Sequence, residues 1–419
     1  MTTAPAVLVL GEDSRIVLPI LRSLGRRGLR VHVAGCAERA PAARSRYVAG
    51  WHPLPTAADD GDWQVEVRRL LQQHPFDLVI PATDMSAHRI HSDRSRWQAE
   101  ARIALLNPSA YEVARDKTKT GALARSLQIP TPRPIDLTDK LEPTRGAGPR
   151  FPLVVKPVSS MARPYDEAKS FARIVDDVAE LRAYAAHLRQ QGTTVFVQEY
   201  VPGFGAGVEI LADRGEVLFA FQHQRLHETN GHGSTYRKSV AVDSRLLHAT
   251  QEIAKATSLT GVAMFEFRVD PHSERWALLE INGRFWGSLA LAVHAGADFP
   301  FYLFELLVRG RRSFPQSYRC GVHSRDLFAD TRWLGRRWRA RRANLDAVDQ
   351  TSLGWEIDDR SHAPIGADLA RVLSPSHRID SFAWDDKRPF LRDAWQLARF
   401  VGRGGLRAVL RRGRRVAPT

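Results

Sequence analysis

The sequence predicts an α/β chain that turns to α+β beyond its first hundred residues. Three observations carry this. Residues 6–10, AVLVL, form an apolar strand run, Ile16–Leu24 follow with helical apolar spacing, and Leu29–Ala34 return to a strand. That strand–helix–strand unit implies a parallel sheet. Later strand runs, such as Val208–Leu211 and Glu216–Phe221, are joined by the short turn DRG, as an antiparallel hairpin is. Finally, 419 residues exceed one ordinary core and predict two or three domains.

The first turn holds one glycine, in GEDSR, and lacks the G-x-G-x-x-G spacing of a dinucleotide loop. The strand Asp77–Pro81 is followed by ATD. Ligands sit beyond the carboxyl ends of parallel strands, which makes Thr83 and Asp84 candidate substrate contacts. The plainer alternative is a turn with Asp84 as a helix N-cap. Residues 111–128 are expected to be one helix containing Asp116 and Lys117, stopped by PTPRP at 130–134. After the Gly/Pro-rich stretch 142–150 comes the strand FPLVVKP, which ends in Lys156. A lysine at a buried strand end needs an anionic partner; an exposed end needs none.

Val178–Leu188 read as a helix and Val195–Val201 as a strand, turned by Pro202 and Gly203. The polar stretch Gln222–Lys238 carries Arg225, Arg237 and Lys238 and is expected to be a mobile basic loop over a site, or a plain surface loop. A helix over 246–258 and a strand over 262–269 bring in Glu266. In the stretch WALLEINGRFWGS, Glu280 and Asn282 are two apart on an apolar strand, so they share a face that Ile281 does not. A carboxylate beside a carboxamide on a rigid strand offers hard oxygen ligands for Mg²⁺. Alone, such a pair is equally a wet strand end.

Cys36 and Cys320 give no disulfide framework or cysteine metal site, which leads to the expectation of a reducing cytosol. No apolar run reaches the roughly 18 residues of a membrane span. The net charge of +15 suits phosphate-rich partners. Much of it lies late, in RRWRARR at 336–342 and in six arginines between Val401 and Thr419. Leu391, Trp395, Ala398 and Val401 share a helical face. The face suits a membrane-surface helix and a helix packed on the protein equally; packing is expected over 390–401, with a loose basic tail beyond it that could touch an anionic membrane. Gly404 and Gly405 are expected to interrupt any long helix. No helix-turn-helix, zinc-finger or RNP signature supports a specific nucleic-acid partner.

In order, Asp116-Lys117, VVKP with Lys156, QEYVPG at 198–203, GVEIL with Glu209, FEF with Glu266, and LEINGRFWGS resemble the ATP-grasp superfamily, and within it the carboxylate–amine ligases. The resemblance implies an N-terminal Rossmann-like parallel-sheet domain over 1–110 and an ATP-grasp domain over 111–310. Within the latter, a lid at about 151–203 and a larger antiparallel sheet grip ATP; a basic, partly helical extension follows over 311–419. It further implies ATP and Mg²⁺ (or Mn²⁺) as cofactors, and a small carboxylate and an amine as substrates. Lys117 and Lys156 then resemble phosphate-binding lysines. Gln198, Glu199, Tyr200 and Val201 resemble the adenine hinge, with backbone groups of Glu199 and Val201 as its hydrogen-bond partners. Glu209 is similar to a ribose-binding glutamate. Glu266, Glu280 and Asn282 resemble metal ligands, and Arg284 the arginine that faces the transferred phosphoryl group; Arg225, by its charge, is expected to act with Arg284 in offsetting the charge of ATP and an anionic substrate. Arg237 and Lys238 are further substrate candidates. In one departure, the loop after Lys156 has no glycine, and Ser159 and Ser160 are expected to supply phosphate donors instead.

The chemistry agrees with these residue types. Two glutamates about 4 Å apart repel by roughly 4 kcal/mol at an effective dielectric of about 20, a repulsion that a divalent cation removes. The implied reaction joins a carboxylate to an amine through an acyl phosphate, with release of ADP and phosphate. A phosphotransferase or a carboxylase with the same ATP site stands as the alternative, and a non-enzymatic basic binding protein ranks below both. Similar enzymes are commonly homodimers. The expected location is cytoplasmic, with a membrane-peripheral tail as a variant.

Overall fold

The computed structural model describes residues 4–55, 60–138, 150–159, 172–229, 233–342 and 376–413. It opens with β1 (Ala6–Leu10), α1 (Ser14–Gly25), β2 (Arg30–Ala34), β3 (Val48–His52), α2 (Asp60–Gln73) and β4 (Leu78–Pro81). The four strands are parallel in the order β3-β2-β1-β4. Every residue of β1 is buried, which is why it reads as an unbroken apolar run and not as an alternation. Because β1 and β4 are neighbours, their carboxyl ends meet. Thr83 there donates to Glu12 at 2.9 Å.

Next come α3 (Asp84–His91), α4 (Arg94–Glu100), α5 (Pro108–Arg115) and α6 (Lys117–Ser126). The single helix expected over 111–128 is two. Asp116 is extended, and its carboxylate accepts from the N–H groups of Thr118 and Lys119. An N-cap aspartate starts a new helix more favourably than it continues an old one. Lys117 is thereby fixed in the first turn of α6.

The lid consists of β5 (Leu153–Pro157), β6 (Arg173–Val175), α7 (Val178–Gln190) and β7 (Val195–Glu199), its strands antiparallel in the order β6-β5-β7. Leu153, Val155, Val197, Leu181 and Leu188 form its own small core. By alternation Lys156 and Gln198 take the other face.

The third layer is a seven-stranded sheet. Its strands are β8 (Phe204–Asp213), β9 (Glu216–Thr229), β10 (Gly233–Val240), β11 (Gly261–Val269) and β12 (Trp276–Asn282), with α8 (Ser244–Ala256) between β10 and β11. Then follow α9 (Leu289–Ala295), α10 (Phe299–Arg309), β13 (His323–Arg325), α11 (Leu327–Arg342), β14 (His377–Ile379) and α12 (Arg388–Gly413). The order is β12-β11-β8-β9-β10-β13-β14. One face packs Val208, Ile210, Phe265, Phe267 and Ile281 against α8; towards the other, Leu211, Phe221 and Met264 join a core with α1, α9 and α10.

Gln222–Lys238 is not a loop. Its described residues continue β9 and form β10, paired in register from Gln222 with Val240 to Gly233 with Thr229. The stretch reads as polar because its inward side chains are hydrogen-bonded or ion-paired to acids. His223 meets Glu209, Arg225 meets Glu266, His227 meets Asp330 and Arg237 meets Asp380. The late residues 323–325 and 377–379 complete the sheet edge, and Asp386 fastens the chain back to Arg22 of α1 at 3.0 Å. α12 continues through Gly404 and Gly405, contrary to the expected break.

Candidate active site

Glu266 and Glu280 stand directly opposite each other on β11 and β12, and Asn282 faces Met264 two pairs along. A bulge next to this pair lets both Leu278 and Ile281 face the α8 core while Glu280 and Asn282 face the cleft. The Asn282 amide donates to Glu266 Oε1 at 3.0 Å. Arg225 on β9 reaches Glu266 Oε2 at 2.7 Å. Lys117 Nζ lies 3.6 Å from Glu280 Oε2, and Lys156 Nζ donates to the Leu279 carbonyl at 3.4 Å. The lid's end docks on the start of α6. Lys117 N–H donates to the Val158 carbonyl at 3.1 Å, and Asp116 pairs with Ser159 as a single antiparallel bridge. That junction brings the two lysines together.

The electrostatics follow from burial and from these pairings. Burial pushes the Glu266 carboxyl up, against the pull of Arg225. Burial acts on Glu280 in the same sense, but Lys117 and Lys156 outweigh it and hold this carboxyl below its ordinary value. Lys156 is lowered to about 8, chiefly by burial, with Glu280 opposing the shift. Arg225 is raised, because Glu266 and Glu228 more than offset its burial.

Arg284, just past β12, forks onto Asp84 of the N-terminal domain, with Nε–Oδ1 at 3.0 Å and Nη2–Oδ2 at 2.7 Å. Asp84 thus joins the cluster. Thr83 instead is buried as the N-cap of α3, so the cap is Thr83 and not Asp84. Arg237 is buried against Asp380 and the Gly287 carbonyl. Lys238 follows it on the strand and takes the opposite face, so these two candidates do not act together. Ser160 lies outside the described residues.

Gln198 is buried at the hinge end of β7. The Glu199 N–H donates to the Arg133 carbonyl at 2.9 Å, and the Glu199 side chain pairs with Arg133 at 2.8 Å. The Glu199 N–H and carboxylate are therefore both engaged by Arg133. The Val201 carbonyl accepts from Arg268 at 3.4 Å. Tyr200 follows β7 in the hinge. Gly203, at φ 104, packs so closely on the Val269 carbonyl that no Cβ fits, which fixes the turn out of the lid. Glu209 is fully buried on β8, on the same sheet face as Glu266, with Oε1 2.5 Å from His223 Nδ1. Burial raises the acid and lowers the imidazole, leaving a neutral pair.

Sequence reading missed His223 and the half-buried ion pair Arg268–Glu228, at 2.6 Å. The signal was present: His223, Arg225 and His227 alternate along one strand face. A cavity of about 660 Å³ along the lid edge, lined by Arg125, Asp136, Arg189 and Thr194, shares only Lys117 with the cluster.

The donor set fits a hard divalent cation. Two carboxylates and a carboxamide lie on one face, a hard-oxygen donor set that would suit Mg²⁺. Among the described residues no group of three His, Cys, Asp or Glu side chains forms an all-protein metal cage.

Residues 191–324 match the family model described as ATP-grasp in the biosynthetic pathway with Ter operon. No curated protein matches the chain in sequence. Among solved structures, the L-amino acid ligase from Bacillus licheniformis is 17% identical at a TM-score of 0.54, over 74% of this chain and 75% of that one. The biotin carboxylase of Campylobacter jejuni, in a β,γ-ATP complex, is 15% identical at 0.57, over 77% and 74%. The biotin carboxylase domain of Hydrogenobacter thermophilus 2-oxoglutarate carboxylase, solved with MgADP, ADP and bicarbonate, is 13% identical at 0.58, over 77% and 74%. At such identities the likeness is one of fold. The parallel N-terminal sheet, the three-stranded antiparallel sheet and the larger sheet with its paired glutamates agree with that likeness: the chain has the ATP-grasp fold, and its residues 191–324 match an ATP-grasp family model.

Proposed function

We propose that the protein is an ATP- and Mg²⁺-dependent ligase that joins a small carboxylic acid to an amine. The observation that carries this reading is the opposed pair Glu266–Glu280, ringed by Lys117, Lys156, Arg225 and Arg284 where the lid, the large sheet and the N-terminal sheet converge. The fold shared with an L-amino acid ligase supports it.

Glu266, Glu280 and Asn282 would hold the metal, which when bound screens the phosphate charge. Lys117 and Lys156 would neutralise phosphate oxygens, and the hinge from Gln198 to Val201 would take the adenine. A substrate carboxylate oxygen attacks the γ-phosphorus of ATP, the bond to ADP breaks, and an acyl phosphate forms. The amine then attacks the carbonyl carbon, loses a proton, and phosphate leaves. Positioning and charge neutralisation are the protein's main contributions to such transfers. Arg284 stands to orient the acid and the transferred group, and Arg225 fixes Glu266.

The test is incubation of the protein with ATP, Mg²⁺ and a panel of carboxylates and amines. Release of ADP and phosphate that requires both partners supports the ligase; formation of AMP overturns the acyl-phosphate route. A second reading keeps the ATP site and changes the acceptor, to a hydroxyl or to bicarbonate. The likeness to two biotin carboxylases favours keeping it in view, and a phosphorylated or carboxylated product with no amine requirement would establish it.

A further inference from the structure

Six large hydrophobic side chains are exposed among the described residues, and five of them lie within 384–401. Trp384 is 76% exposed, in the turn before α12; along the helix Leu391 is 62%, Trp395 45% and Val401 58% exposed. The helix is docked by a different face. Asp385 and Asp386 bind Arg26 and Arg22 of α1, and the Phe400 ring meets Phe328 of α11 edge-on at 5.5 Å. The expected packing of Leu391, Trp395 and Val401 on the protein is therefore reversed: α12 is held, and this apolar face looks outward.

Cations frame that face. Arg392 and Arg399 lie over the Trp395 ring at 4.4 and 4.5 Å, and Lys387 lies 5.2 Å from the Trp384 ring. Between Lys387 and Thr419 stand ten basic residues and one acid, Asp393, which is turned inward to accept from the Ser381 hydroxyl at 2.7 Å. At 26 residues, α12 is about 39 Å long. No single helix among the described residues is long and apolar enough to cross a membrane.

We propose that α12 lies flat on an anionic lipid surface, with Trp384, Leu391, Trp395 and Val401 entering the headgroup boundary and the surrounding arginines pairing with lipid phosphates. An apolar stripe with amphipathic tryptophans, rimmed by arginines and too polar to span, is the composition of an interfacial helix. Nucleic acid would satisfy the arginines but leave the stripe in water. A second copy would bring two strongly basic helices together. The inference is independent of the reaction proposed above.

The test is flotation of the full-length protein with vesicles of phosphatidylcholine alone and of phosphatidylcholine with phosphatidylglycerol, at about 0.1 M salt. The expected result is retention on the anionic vesicles only. Retention should weaken about tenfold or more in Leu391→Ser/Trp395→Ser, and likewise in Arg388→Gln/Arg392→Gln/Arg399→Gln, with ATP hydrolysis unchanged in both. Equal retention on both vesicle types, or wild-type retention by the Leu391/Trp395 variant, overturns the proposal. So does an absence of retention accompanied by tight DNA binding, which gives the face to nucleic acid. A concentration-dependent dimer that the same variant abolishes, again without retention, gives it to a second copy.

Discussion

Arg284 and Asp84 stand 200 residues apart in the chain and form a two-pronged ion pair, at 3.0 and 2.7 Å, that ties the large sheet to the end of β4. The carboxylate of Asp84 holds the guanidinium in one orientation facing the glutamate pair. Asp84→Asn keeps the shape and loses the charge. We expect kcat to fall about tenfold, with ATP affinity within about threefold of wild type, because only a positioned group is disturbed. Arg284→Ala should cost about a hundredfold or more in kcat. Steady-state kinetics check both, and wild-type kcat in Asp84→Asn would separate this pair from the chemistry.

Lys156 offers a pH signature. Burial lowers it to about 8, so near pH 8 a sizeable fraction of the free protein carries this lysine uncharged. Phosphates favour the charged form, so ATP binding should raise this pKa and take up a proton. The sign follows: affinity falls as pH rises through 8 and levels off on the acid side. Calorimetry at pH 8 in buffers of different ionisation enthalpy should register proton uptake that fades towards pH 6.5. Lys156→Arg, which stays charged, should abolish it. Equal uptake in that variant assigns the proton to another group.

Glu209 and His223 give a prediction about stability. His223→Ala leaves a buried carboxyl without its partner and should lower stability by about 1–3 kcal/mol, seen as a lower melting temperature. Glu209→Gln retains a hydrogen-bonding group and should keep ATP affinity within about threefold. A tenfold loss of ATP affinity in Glu209→Gln at unchanged melting temperature would instead give this carboxyl the ribose-binding role.

The glutamate pair itself is the most exposed assignment. Glu280→Gln or Asn282→Ala should abolish ATP turnover, and the melting temperature should stay close to that of the wild type because both side chains face the cleft. Wild-type turnover in either variant removes the metal-site reading.

Much of this arrangement was legible in the sequence, for local reasons. β1 is an unbroken apolar run because it is buried on both sides, and Glu280 and Asn282 share a face because strand alternation is strict. Their partners were less so. The helix break at Asp116 depends on a cap that a long helical pattern hides. The region from Gln222 to Lys238 looked like a loop because hydrophobic patterning registers apolar burial, whereas these strands bury polar pairs whose other halves, Glu209, Glu266, Asp330 and Asp380, lie on other elements. Asp84's role depends on a residue in another domain, and no local pattern points to it. The outward face of α12 was misjudged for a related reason. Periodicity gives the stripe, and only the positions of Phe328 and Arg22 show which side of the helix is covered.

The central claim is that a carboxylate takes the γ-phosphoryl group. It is tested most directly with a carboxylate substrate from the panel labelled with ¹⁸O in its carboxyl group, turned over with ATP, Mg²⁺ and the amine, and the released phosphate analysed by mass. The account predicts one ¹⁸O atom in each phosphate. Phosphate free of label, with amide product formed at the same rate, would contradict it.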